Sequence, residues 1–331
     1  MKEEFMPLRD IDYKLLDAAK NGDLAALNAL PPSSGSFYSL IDDRPDADRR
    51  NPIDWAAYNG HIPVLEWFIS KGADVNIAFY KGWKPIHWAA CNGQIPVLEW
   101  FISKGVGVDS RTCAECTFVH SCAGGWTPIH SAAYNGQIPV LEWLISKGAD
   151  INDGTFNGSA PIHLAVARGH IAVLEWLINQ GVDVNAQKCC GEEPTTYGET
   201  PMHEAAYTGH IPVLEWLFSR GADVNAKRND GKMPIHSATL SGQIPALEWL
   251  VSKGANINAE DESGKRPLHV ASFWGRIQAA KWLILNGACY SDEKMAWQKM
   301  LDAGKDIKEV AKFYRMSESE IQLLQNSRRL D

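Results

Sequence analysis

The residues able to do chemistry fall into two sets, one clustered and one periodic. The cluster is Cys113-Ala114-Glu115-Cys116-Thr117-Phe118-Val119-His120-Ser121-Cys122. Zinc takes four thiolate or imidazole ligands, and a Cys-x-x-Cys knuckle is a usual half-site. Cys113, Cys116, His120 and Cys122 are therefore the candidate ligands of a structural zinc, which would order an otherwise long loop. The His-x-Cys half is shorter than the usual spacing, so free thiols in a mobile loop are the competing reading. Cys189 and Cys190 lie too far along the chain to join the site.

The periodic set is histidine. Six of ten recur at one position of a repeated segment: His87, His130, His163, His203, His236 and His269. A histidine repeated with the fold is expected to be structural. His61, His170 and His210 recur at another position, where Gln94, Gln137 and Gln243 alternate with them. A general base cannot be exchanged for glutamine, so these are expected to be turn residues. There is no glycine-rich phosphate loop and no nucleophile elbow. The expectation is a non-enzymatic protein with no catalytic residues and, zinc aside, no cofactor.

Bulk properties narrow the class. A net charge of −8 speaks against a nucleic-acid footprint, which needs a concentrated basic face. No stretch approaches the ~20 apolar residues of a membrane span. Met1-Lys2-Glu3-Glu4-Phe5 lacks the apolar core of a secretory signal. Seven unevenly spread cysteines do not form a disulfide framework, so the reducing cytoplasm is the expected compartment.

The elements that must position any site are written in the repetition. Leu-Glu-Trp recurs with its tryptophan at Trp67, Trp100, Trp143, Trp176, Trp216 and Trp249, and Lys-Trp continues it at Trp282. The gaps are 33, 43, 33, 40, 33 and 33 residues, so the unit is 33 residues, with insertions near 110–122 and 187–197. Thr127-Pro128-Ile129-His130 opens one helix, with Thr as cap and Pro at the first turn. Ile138-Pro139-Val140-Leu141-Glu142-Trp143-Leu144-Ile145 opens a second, apolar on all but one narrow edge, and Gly148 stops it. The Leu-Glu-Trp tryptophans are expected in the core, each burying ~150–250 Å².

A 33-residue unit with Pro-Ile-His near its start and Gly-Ala-Asp-Val-Asn at its end resembles the ankyrin repeat, most closely in 126–152, 199–225 and 232–258. The resemblance covers roughly residues 10 to 290. It implies an all-α ankyrin-repeat solenoid of stacked helix pairs with β-turn fingers: an N-terminal capping repeat and linker over 10–50, seven repeats over 51–290, and a short helical C-terminal extension over 291–331. Lys84, Ala160, Met233 and Arg266 depart from the helix-cap Thr, and Asp54 from the His. The repeat opened by Asp54 is therefore expected to pack its finger less regularly.

The resemblance also implies a protein-binding scaffold or adaptor. Its partner, a folded protein or an extended peptide, would be gripped by finger tips and the exposed side of the first helices, a concave face. The residues at those positions are Tyr58, Tyr80, Lys81, Trp83, Trp126, Tyr134, Phe156, Arg168, Tyr207, Phe273 and Trp274. Interface hot spots are enriched in Trp, Tyr and Arg. Trp83 and Trp126 follow the finger glycines Gly82 and Gly125, and either contact a partner or pack on the neighbouring finger. Near-identical repeats suggest a microbial effector acting on host proteins, in which case the compartment is the host cytosol. The alternative is that the repeats deliver an active tail. Its pattern at 306–324 is somewhat like a helix-turn-helix but opens its second helix with Glu318 and Glu320, poorly suited to phosphates. By resemblance again, Asn76, Asn152, Asn185, Asn225 and Asn258 match the asparagine that asparaginyl hydroxylases modify in some relatives.

Overall fold

The computed structural model describes residues 10–30, 50–78, 82–112, 124–188 and 198–288, and these form helices and connecting turns with no strand among them. They divide into two compact units on either side of Val182.

Each unit is a stack of helix pairs, all-α as the repeat pattern requires. In the N-terminal unit the first helices are Asp10–Asn21, Pro52–Asn59, Pro85–Cys91, Pro128–Tyr134 and Pro161–Ala167. Their partners are Leu24–Asn28, Ile62–Ser70, Ile95–Ser103, Ile138–Ser146 and Ile171–Asn179. In the C-terminal unit Pro201–Thr208, Pro234–Ser241 and Pro267–Phe273 pair with Ile211–Ser219, Ile244–Ser252 and Ile277–Leu285. Successive first helices lie side by side, and each also packs on its own second helix.

Small residues make this stacking possible. Ala56 and Ala57, Ala89 and Ala90, Ala132 and Ala133 are fully buried where neighbouring first helices meet. Val64, Leu65 and Phe68, with their counterparts in each repeat, are fully buried on the second helices. Each large side chain so buried contributes about 1.5–3 kcal/mol.

The ends of the second helices explain the Gly-Ala-Asp-Val-Asn signature. Gly72 has φ +92°, its N–H bonds the Ile69 carbonyl, and the Ala73 N–H reaches back to the Phe68 carbonyl. Those two bonds are the Schellman arrangement, which wants a residue without a side chain at the left-handed position. The Asp74 carboxylate then accepts the Asn76 N–H at 2.9 Å, and Asp150, Asp183 and Asp223 do the same for the asparagine two residues on.

The Leu-Glu-Trp tryptophans differ from expectation. Only Trp249 is buried, while the other six are half-buried at the edge of the second-helix layer. The aliphatic and Phe68-type residues fill the core. The indoles lean on neighbours instead: Trp67 bonds Asn28 at 3.0 Å, and Lys71 lies over its ring at 5.6 Å.

Candidate partner-binding face

The repeated histidines act as helix caps. In each repeat the backbone N–H of the cap residue donates to the Nδ1 of the histidine three positions on, as from Lys84 to His87 (3.2 Å) and from Met233 to His236 (3.0 Å). That fixes the tautomer, so Nε2–H donates to a carbonyl of the next finger: Ser110 for His87 (2.8 Å), Asp153 for His130 (2.8 Å), Lys232 for His203 (3.1 Å). The ring therefore caps its helix and ties one repeat to the next. This also explains why Lys84, Ala160, Met233 and Arg266 can stand where Thr was expected, since the cap bond uses the backbone of that position. Asp54 keeps the first half of the job, accepting the Asn51 N–H at 3.1 Å, but as a carboxylate it has no N–H for the next finger. Burial lowers His87, His130 and His203 to about 4, so these rings are neutral structural groups.

The histidines and glutamines of the second set lie in the turns. The Gln94 side chain passes so close to Gly60 that an added Cβ would fall 2.6 Å from its oxygen, and Gly60 also has φ +86°. His170 reaches the Tyr134 carbonyl at 3.0 Å and Asn92 the Tyr58 carbonyl at 2.8 Å. Of the two asparagines that follow Tyr58 and Tyr134, Asn59 reaches the Lys20 carbonyl of the preceding repeat at 2.9 Å, whereas Asn135 bonds the Ser131 carbonyl of its own helix at 2.8 Å.

That face, in the N-terminal unit, carries a continuous ladder of rings. Trp83 stacks on Trp88 with centroids 4.8 Å apart and meets Trp126 at 5.7 Å. Trp126 meets Tyr134 edge-on at 5.1 Å, and the Arg168 guanidinium lies 4.9 Å over the Tyr134 ring. At the other end, Arg50 sits 4.0 Å over Tyr58, 4.4 Å over Trp55 and 4.6 Å over Trp88. Lys20 lies 4.4 Å over Trp55. Trp83, Trp126, Tyr58 and Tyr134 are half-buried, each with surface left to solvent, and Arg168 is exposed.

The structure thus joins five of the sequence candidates: Tyr58, Trp83, Trp126, Tyr134 and Arg168. Phe156 lies elsewhere, its ring against Gly125 and its N–H on the Gly124 carbonyl at 3.0 Å, so it packs on the preceding finger. In the C-terminal unit Tyr207 is 47% exposed, and Phe273 and Trp274 form an edge-on pair 83% and 57% exposed. Tyr80 and Lys81 lie outside the described residues, as do Cys113, Cys116, His120, Cys122 and the tail. Sequence reasoning missed Trp55, Trp88, Arg50 and Lys20. A signal existed, because Trp55 and Trp88 are one 33-residue period apart at the same first-helix position.

Both insertions leave from closed bases. Thr112 N–H donates to the Trp126 carbonyl (2.8 Å) and Trp126 N–H to the Thr112 hydroxyl (2.9 Å), so the ten-residue excursion starts and ends on the ladder. Lys188 and Glu199 close the second insertion. The Lys188 ammonium, itself buried, holds Glu199 and Glu204 at 2.7 Å each. Burial opposes charge on both sides of this cluster, yet their attraction keeps Lys188 above and Glu199 below its ordinary value. Among the described residues no group of three or more His, Cys, Asp or Glu could hold a metal, and no helix is long and apolar enough to cross a membrane.

A family model described as "Ankyrin repeats (3 copies)" matches in overlapping windows, 15–112, 81–155, 108–188, 156–228 and 203–294. The crystal structure of the human ASB11 ankyrin repeat domain is similar at TM-score 0.53 and 24% identity, over 73% of this chain and 100% of that one. At that identity the likeness speaks to the fold alone. A search of curated proteins finds no match.

Proposed function

The chain belongs to the ankyrin-repeat family, and we propose that it is a non-enzymatic scaffold or adaptor whose partner docks on the first-helix face of the N-terminal unit. The observation that carries this reading is the ring ladder from Trp55 to Tyr134. Packing alone does not require aromatic rings at the half-buried positions of Trp83, Trp126 and Tyr134, where other repeats place Ser159, Lys232 or Ala167. Aromatic residues bring large rigid contact area at low entropic cost, which is what an interface needs. His87, His130 and His203 are buried and bonded to backbone, a structural use that leaves the face itself to binding.

The test is affinity capture from lysate with wild type and a Trp83→Ala, Trp126→Ala, Tyr134→Ala variant, matched for folding by circular dichroism. A partner held by wild type and lost by the folded variant supports the ladder as the interface. A partner held equally by both moves the function to the tail or the cysteine loop. Three narrower parts of the proposal concern features off the ladder. The chain acts in the cytoplasm, or in a host cytosol as an effector; the loop of Cys113, Cys116, His120 and Cys122 takes a structural zinc; and Asn76 and Asn152, which are exposed, are asparaginyl hydroxylase targets.

A further inference from the structure

The ladder carries a sign as well as a shape. The four first helices between residues 52 and 167 hold a single carboxylate, Asp54, which is 1% exposed and engaged with the Asn51 N–H. The charges resting on the rings are all positive: Lys20 on Trp55, Arg50 on Trp55, Tyr58 and Trp88, and Arg168 on Tyr134. This runs against the chain as a whole, whose net charge is −8. Charges beyond about 8 Å are screened at physiological salt, so the local sign decides what an approaching segment meets. Of the carboxylates in the connecting loops, Asp153 is paired with Arg111.

Arg168 is the sharpest case. It is exposed, its guanidinium carbon lies 4.9 Å from the centre of the Tyr134 ring, and among the described residues its side chain makes no hydrogen bond or ion pair. A guanidinium held on an aromatic face keeps its N–H edge free and gives up little further freedom on binding, and that edge fits a carboxylate with two parallel bonds. Trp126, which touches the same Tyr134 ring at 5.1 Å, offers apolar surface beside it. Basic groups on both ends and rings between them disfavour a cationic partner and suit one that alternates carboxylates with apolar side chains.

We propose that the ring ladder of the N-terminal unit receives an acidic, extended segment of a partner protein, with Arg168, placed over Tyr134, taking one of its carboxylates. This rests on the partner-binding role of the ladder proposed above and adds the chemistry of the partner.

The experiment is selection of phage-displayed random dodecapeptides on the full chain, followed by binding measurements of the selected peptides to wild type, Arg168→Glu, Arg168→Lys and Trp126→Ala. The expected peptides are enriched in Asp and Glu over the starting library. Losing a charge-assisted pair should weaken them about tenfold or more in Arg168→Glu, with a smaller loss in Arg168→Lys, which keeps the charge without the fork. Their affinity should also fall with added salt. Peptides that need Trp126 but show no acidic enrichment, or that bind Arg168→Glu unchanged, overturn the inference and leave the ladder as an interface. Failure to select any Trp126-dependent peptide overturns both. Arg168 is exposed at a helix end, so its variants are expected to fold as wild type does.

Discussion

Acid should destabilise this protein before its carboxylates titrate, because its repeats are tied together by neutral histidines. His87, His130 and His203 are lowered to about 4 chiefly by burial, against 6.5 for an ordinary imidazole. Between those two values the unfolded chain binds protons that the folded chain refuses, so stability is lost as pH falls from about 6.5 toward 4. Taking the protein from pH 7 to pH 5 should cost about 1.8 kcal/mol for each of the three, on the order of 5.5 kcal/mol together. His236 is shifted the same way and adds to the loss. Glu199 and Asp230 are held below their ordinary values, so their stabilising contribution is lost only as pH falls below the usual carboxylate range. Asp109, pushed up by burial and by Asp153 and Asp150, works in the opposite sense but is largely exposed. The window from pH 7 to 5 therefore reads mainly imidazoles. The assay is urea unfolding followed by far-ultraviolet circular dichroism at pH 7, 6 and 5, comparing wild type with His203→Gln. Since repeat stacks need not unfold in one step, midpoints at constant slope are the quantity to compare. The variant should start lower at pH 7, lacking the full set of bonds, and lose less on acidification. A midpoint that does not move between pH 7 and 5, or a variant with the wild-type pH dependence, would refute the argument.

Other perturbations have expected outcomes of their own. Gly60→Ala should destabilise by about 1–2 kcal/mol, the cost of a side chain at positive φ, and Gln94→Ala in the same chain should recover the part due to crowding; equal losses with and without it would exclude the contact. Lys188→Met should cost about 3 kcal/mol by removing the cation that Glu199 and Glu204 share and leaving Glu199 only the longer pair with Arg228 at 3.6 Å, measurable by the same urea melts, and Glu199→Gln with Glu204→Gln in the same chain should return much of it. Native mass spectrometry of the zinc-loaded chain should show one bound ion that Cys113→Ser, Cys116→Ser abolishes; an unchanged mass in wild type would leave the loop as free thiols.

How much of this was legible in the sequence depends on which physics each feature obeys. The helix pairs were, because a 33-residue repeat with Pro at one end and Gly at the other fixes where helices start and stop. The role of the repeated histidine was legible as structural, but its particular job was not. Thr looked like the cap, and only the geometry shows the imidazole taking that bond with one nitrogen and the next finger with the other. The Leu-Glu-Trp tryptophans misled for a related reason. Periodicity says that a position is used alike in every repeat, not whether it faces the core or its rim, and the flanking Leu and Val took the interior. The candidate face was half legible. Trp83 and Tyr134 stood out as aromatic residues at the positions the ankyrin resemblance assigns to partner contact. Trp55 and Trp88 sit beside the signature residues on the same helices and read as part of the repeat. Arg50 lay before the first full unit, with nothing in its neighbours to mark it. What assembles these into one surface is lateral stacking of first helices, which brings the rings of successive repeats together, as Trp83 and Trp126 at 5.7 Å. A binding surface in such a fold is therefore a column read across repeats, and the cation at each end of this column, Lys20 and Arg168, is visible only once the column is drawn.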